Sequence, residues 1–132
     1  MGISSATLSV GATNSTAGGV STLFGKTGAA ISNGIQIADT TAVSALVRKL
    51  INVKSIPPKL QADGSWSYDK REVTFVFPKV LTNGGQSYPS VRIIVSVHPE
   101  QTAAEVTEMH NFSAQALIDA DFASWRSMGD IS

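Results

Sequence analysis

The chain has 132 residues, ten Lys or Arg against ten Asp or Glu, and no cysteine. A net charge of zero excludes a globally basic nucleic-acid binder and an acidic tail protein, and the lack of thiols excludes a disulfide framework or a thiolate metal or redox site. The length is that of one domain, expected to span residues 1–132; the 42% of hydrophobic residues excludes intrinsic disorder, but only 15% are charged, where about 25% is usual. Either Ser and Thr solvate such a surface, or other subunits cover much of it.

No targeting segment is expected, because residues 1–20 carry neither a charge nor a long apolar run. No stretch approaches the roughly 18 apolar residues of a membrane span, so no membrane partner is expected. The sequons Asn14-Ser15-Thr16 and Asn111-Phe112-Ser113 read as chance occurrences.

Residues 1–30 read as an N-terminal β-hairpin region. Thr7 to Val10 alternates like a half-buried strand, Asn14 to Gly19 is a turn, and Val20 to Phe24 returns. A β-sheet is expected over 31–98. Ile35-Gln36-Ile37 alternates after Asn33-Gly34. Residues 41–51 fit both a helical stripe and a strand; strand is preferred from Ala45 onward, because alternation continues through Ile51 and Val53 to Pro57-Pro58. Asp63-Gly64 predicts a hairpin turn leading into a long strand from Trp66 to Phe77, with Val73, Phe75 and Phe77 on one face and Lys70, Glu72 and Thr74 on the other. Thr82 to Pro89 reads as a Gly-rich loop. In Ser90 to His98, Val91, Ile93, Val95 and Val97 oppose Ser90, Arg92, Ile94 and Ser96.

After Pro99 the period changes to 3.6, and two helices are expected over 99–132. Thr102 and Glu105 form a capping box, and Val106 and Met109 belong to a modest apolar stripe. A second short helix runs from Asp119 to Met128, with Phe122, Trp125 and Met128 on one side and Gly129 past its end. Strands first and helices last give an α+β fold, an antiparallel sheet followed by two C-terminal helices. Charge divides at the same boundary. Residues 41–98 hold eight bases and three acids, a net of +5; residues 99–132 hold six acids and Arg126, a net of −5. This is either ordinary surface variation or a basic sheet that meets a polyanion.

No constellation supports catalysis. Gly25-Lys26-Thr27 lacks the earlier glycine of a phosphate-binding loop, since position 20 is Val. His98 and His110 have no spaced acidic partners, so no metal site is expected. Asp119 and Asp121 stand at a helix start, where capping explains them. No cofactor is expected.

The residues resemble the coat proteins of single-stranded RNA bacteriophages. Lys70-Arg71-Glu72-Val73-Thr74-Phe75-Val76-Phe77-Pro78-Lys79-Val80 looks like the strand preceding that family's flexible loop, Ser90 to His98 and the helix bearing Glu105 look like its final strand and first helix, and Leu117-Ile118-Asp119-Ala120 resembles the junction to its second helix. The likeness spans about residues 45–130. It implies an interlocked homodimer, assembling into an icosahedral shell of triangulation number three with the sheet turned inward to RNA. It also implies a structural protein of the virion capsid, made in the bacterial host cytoplasm and not an enzyme. Its partners would be copies of itself and the single-stranded RNA genome, with repression of translation through an RNA hairpin as a further role.

Carried over by side-chain parity, the implied RNA contacts are Asn52, Lys54, Glu72, Thr74, Ser90 and Arg92. Thr74 and Glu72 depart from the basic chemistry expected there, and Lys70 or Arg92 would then supply charge. Val106, Met109, Phe122 and Trp125 are expected at the dimer interface, and Asn83, Gly84, Gly85 and Tyr88 in a loop between dimers. The rival readings are another self-assembling subunit, of a filament or a tail, and a small cytosolic ligand-binding or enzymatic α+β domain.

Overall fold

A computed structural model describes residues 23–131. The N-terminal strand at Thr7 to Val10, the turn at Asn14 to Gly19 and the start of the return strand at Val20 lie outside the described residues. The chain divides into two compact units, with residues 19–99 in one and the helices in the other.

In the first unit β1 (Phe24–Lys26), β2 (Gly34–Asp39), β3 (Leu50–Ile56), β4 (Asp69–Val76) and β7 (Ser90–Val97) form one antiparallel sheet in the order β1-β2-β3-β4-β7. The strand expected from Ala45 begins only at Leu50. Ala45–Val47 is instead a 3-10 turn, capped by the Ser44 hydroxyl, which accepts from the Leu46 amide at 3.2 Å. A local side-chain bond of this kind competes with ladder pairing.

The strand expected from Trp66 to Phe77 is also shorter. Pro57 and Pro58 have no N–H to donate, so the β3–β4 ladder stops after Ile56 pairs with Lys70 and resumes only as an isolated bridge between Leu60 and Trp66. Beyond that bridge the Asp-Gly turn forms as predicted. Gly64 has φ +85°, and the Asp63 carboxylate accepts from the Ser65 amide at 3.0 Å and from its hydroxyl at 2.6 Å. These bonds, led by the one from the Ser65 hydroxyl, hold the Asp63 carboxyl below its ordinary value of 3.8.

The Gly-rich loop expected from Thr82 to Pro89 is the turn and return strand of a small hairpin that begins at Lys79. β5 (Lys79–Val80) pairs with β6 (Gln86–Ser87), and Gly84 at φ +85° lets the chain reverse between them. The Leu81 amide donates to the Gly85 carbonyl at 2.7 Å, and the Asn83 side chain accepts from the Gly85 amide at 2.9 Å.

In the second unit α1 (Ala103–Ile118) starts at Thr102, whose hydroxyl accepts from the Glu105 amide at 3.2 Å. It ends at Asp119, which caps a 3-10 turn over Ala120–Phe122 by accepting from the Asp121 amide at 2.8 Å. The expected second helix is therefore a 3-10 turn followed by α2 (Ala123–Met128). Arg126 donates to the carbonyls of Ala116 at 3.1 Å and Asp119 at 2.7 Å, satisfying acceptors that the end of α1 leaves open. Gly129 at φ +71° then closes α2.

Among the described residues only Ala38 and Val97 are buried apolar side chains, and no large one is fully buried. Replacing Thr102 by Ala removes the α1 cap and is expected to cost about 1 kcal/mol in chemical unfolding, whereas Thr102→Ser should retain nearly all of it.

Candidate nucleic-acid interface

Cross-strand register gives the sheet two chemically different faces. On one, Ile35, Val53, Val73 and Ile93 stand opposite one another across β2, β3, β4 and β7; the neighbouring row is Ile37, Ile51, Phe75 and Val91. On the other, the first row is Gln36, Asn52, Thr74 and Arg92, and the next is Gly34, Lys54, Glu72 and Ile94. Opposed residues of antiparallel strands share a face, so these rows are contiguous strips of like chemistry.

All seven residues expected to contact RNA lie on the polar face. Asn52, Thr74 and Arg92 share one row, Lys54 and Glu72 the next, and Ser90 and Lys70 flank them opposite Val76 and Ser96. Gln36 and Thr27, which the sequence reading does not single out, extend the polar row toward β1. The Gln36 amide donates to the Asn52 side-chain oxygen at 2.9 Å, and the Thr27 hydroxyl donates to the Gln36 oxygen at 2.8 Å. The cue lies in Ile35-Gln36-Ile37, where one polar residue between two isoleucines marks the outward side of a strand.

Glu72 and Arg92 form a two-pronged ion pair: Nε to Oε1 at 2.9 Å and Nη2 to Oε2 at 3.1 Å. The carboxylate side chain is 16% exposed and the guanidinium side chain 61%. Three of the five guanidinium N–H groups are not used by this pair. The acid on the polar face therefore orients Arg92 while leaving it accessible. Lys54 stands directly opposite Glu72 in register, and Lys70 is exposed on the same face. Arg71 has the opposite parity and pairs with Asp69 at 2.9 Å.

Trp66 and Tyr68 precede β4, so the strand expected from Trp66 does not include them. Trp66 is bridged to Leu60, and Tyr68 meets the His98 ring edge-to-face at 5.9 Å. Asn83, Gly84 and Gly85 form the exposed tip of the β5–β6 hairpin, and Tyr88 follows it, also exposed. In the helical unit Val106 and Met109 are half-buried, and Phe122 meets Trp125 edge-to-face at 6.3 Å. Met128 is 77% exposed. Among the described residues no group of three or more acidic or histidine side chains could hold a metal ion, and no helix is long and apolar enough to cross a membrane.

The partly buried Gln36–Asn52 bond and the exposed Glu72–Arg92 pair differ in what they do for stability. Asn52→Ala leaves the Gln36 amide without its acceptor and is expected to cost about 1–2 kcal/mol. Glu72→Gln should cost at most about 1 kcal/mol, because solvent screens the pair. Urea unfolding of the two variants side by side checks the order.

No family model matches the chain, and no curated protein does. Solved structures do. The chain superimposes on the virus-like particle of bacteriophage GQ-907 with a TM-score of 0.92 and 31% identity, over 98% of this chain and 99% of that one. The virus-like particle of bacteriophage AVE019 gives a TM-score of 0.63 at 10% identity, over 83% and 86% of the two chains. That of Beihai levi-like virus 21 gives 0.59 at 12%, over 86% and 97%. The last two share the fold.

Proposed function

We propose that this chain, which belongs to the coat proteins of levi-like bacteriophages, forms a homodimer that closes into an icosahedral shell and turns the polar face of its sheet toward single-stranded RNA. The observation that carries the RNA reading is the register itself. It gathers Asn52, Lys54, Lys70, Thr74 and Arg92 into one open surface, while the opposite face is built from Ile, Val and Phe.

Three bases against one acid, Glu72, leave this face positive without making the whole chain basic. Lys54, Lys70 and the free edge of the Arg92 guanidinium engage phosphates; Asn52, Thr74 and Ser90 offer hydrogen bonds to bases or ribose. Binding of one RNA hairpin across this face would also repress translation of the message that carries it.

Self-association has separate support. β7 pairs only with β4 among the described strands, so one edge of an eight-residue strand is open to a second sheet. Phe122 and Trp125 meet edge-to-face, Trp125 remains 41% exposed, and with Val106 and Met109 they supply the dimer contact. The hairpin tip at Asn83, Gly84 and Gly85, with Tyr88, makes contacts between dimers around the symmetry axes of a shell of triangulation number three. The product is a virion capsid, with the chain made in the bacterial host cytoplasm.

Purified protein should appear by electron microscopy as closed particles with nucleic-acid absorbance at 260 nm; a small species free of RNA would defeat the capsid reading. Neutralising Lys54 and Arg92 together should weaken RNA binding and reduce the salt slope by about 0.7–0.9 for every phosphate that is no longer neutralised, read by filter binding across a salt series. Glu105→Gln, in the helical unit, should leave RNA affinity unchanged. Trp125→Ala should remove about 3–5 kcal/mol from a packed dimer contact and yield unassembled protein, read by size-exclusion chromatography.

A further inference from the structure

The Asp63-Gly64 hairpin carries the polar face beyond the β3–β4 ladder and changes its chemistry. Ile56 stands opposite Lys70, and the bridge of Leu60 to Trp66 keeps the same register four residues away along each chain. The Ser67 amide donates to the Lys59 carbonyl at 2.9 Å and the Gln61 amide to the Ser65 carbonyl at 2.8 Å, so the hairpin is hydrogen-bonded out to its tip. An unchanged register preserves side-chain parity. Leu60 and Trp66 therefore lie on the side of the sheet that holds Lys54 and Lys70.

Tyr68 falls between Trp66 and Lys70 with the same parity. Its ring meets that of His98 edge-to-face, two residues past Ser96, which stands opposite Lys70. Leu60, Trp66 and Tyr68 are 62%, 51% and 55% exposed. Together they form an open apolar platform at one end of an otherwise polar face. The free charges that border it on that face are bases. Lys70 lies two residues beyond Tyr68, about 7 Å along the strand, and Lys54 follows, whereas Glu72 is engaged by Arg92. A second copy presenting the same face would oppose these bases to their equivalents, and like charges so placed repel. An anionic partner with planar apolar groups satisfies both the platform and its border.

We infer that this platform takes an unpaired nucleotide of single-stranded RNA, with its base stacked on Trp66 and a neighbouring phosphate on Lys70. Tyr68, its ring edge against His98, is the adjoining wall, and Leu60 extends the apolar floor. Every base has a π-face, so the platform does not select sequence. It selects strandedness, because the bases of a duplex are already stacked on one another. The inference rests on the reading of the polar face as the RNA face.

The test uses particles reassembled around single-stranded RNA carrying 4-thiouridine, irradiated and mapped by peptide, together with the affinity of the dissociated full-length protein for oligouridylate. Adducts are expected at Trp66 as well as on β3, β4 and β7. Trp66→Ala should weaken oligouridylate binding about ten-fold and Trp66→Phe less than about three-fold. Neither should alter the salt slope, because a stacked base releases no counterion, whereas Lys70→Gln should lower it by about 0.7.

Adducts on the strands alone, with Trp66→Ala binding like the parent, would overturn the platform and leave the polar-face reading standing. No adducts on either, with the Lys54 and Arg92 double variant also binding like the parent, would overturn both. A Trp66→Ala chain that binds RNA normally but changes particle size would make the platform a contact between copies and likewise overturn the inference. The adducts are read on the parent chain, so they decide the matter even where Trp66→Ala fails to fold.

Discussion

A slip of one residue between β3, β4 and β7 would carry Asn52, Thr74 and Arg92 out of their common row and bring valines and isoleucines opposite them, because side chains alternate with a period of two. Everything proposed for the polar face depends on that register. It is pinned at several points. A Cβ at Gly34 would lie 2.1 Å from the Val53 carbonyl oxygen, so only glycine lets β2 approach β3 at this crossing. The Ser55 amide donates to the Asn33 carbonyl at 2.9 Å, with Asn33 itself at φ +60°. At the far end of β4 the Phe77 amide donates to the Pro89 carbonyl at 2.8 Å, aligning β4 with β7 before the β5–β6 hairpin departs.

With the register held, the placement of Glu72 becomes intelligible. An acid on a surface proposed to meet phosphate is costly if it stands alone. Here it lies beneath Arg92, which covers it with two short bonds and keeps its remaining donors outward. A lone arginine in the same place would sample many rotamers. The carboxylate restricts them, trading one unit of charge for a fixed donor geometry.

The sequence disclosed most where one physical signal dominated. β7 alternates over its whole length, and the Thr102 to Glu105 cap starts α1 where the capping pattern places it. Parity alone put Lys70, Glu72 and Thr74 on one face, and the ladder agrees. Expectations failed where two signals competed. From Ala45 to Lys49 the alternation that continues through Ile51 and Val53 favoured a strand, but the Ser44 hydroxyl captured the Leu46 amide and the chain turned. The strand expected from Trp66 starts only at Asp69, because the two prolines on the facing segment remove ladder donors and leave the Leu60 to Trp66 bridge isolated. The β5–β6 hairpin was hidden because each of its strands has only two residues, too few to show a period. The partners of Gln36 and Gln86 could not be read from sequence. The bond from Gln36 to Asn52 spans 16 residues and that from Gln86 to Leu46 spans 40, and only the folded ladder brings such partners together.

The low charge content and the thin core have one explanation in a coat protein. Val53, Ile35 and Val91 on the apolar face remain 40%, 48% and 44% exposed, and Ile118 and Met128 in the helical unit are more exposed still. Each such side chain, once its remaining exposed area is covered, contributes on the order of 1 kcal/mol. A chain that keeps this surface open has set aside for association the free energy that a self-sufficient monomer spends on its own core. Its folded state is then stabilised by mass action, since a contact between copies binds the native form and not the unfolded one. Ser and Thr on the remaining surface keep it hydrated without adding the like charges that would repel neighbouring copies. A near-zero net charge, which would be a solubility hazard for an isolated domain, is in a shell subunit what allows many copies to lie side by side.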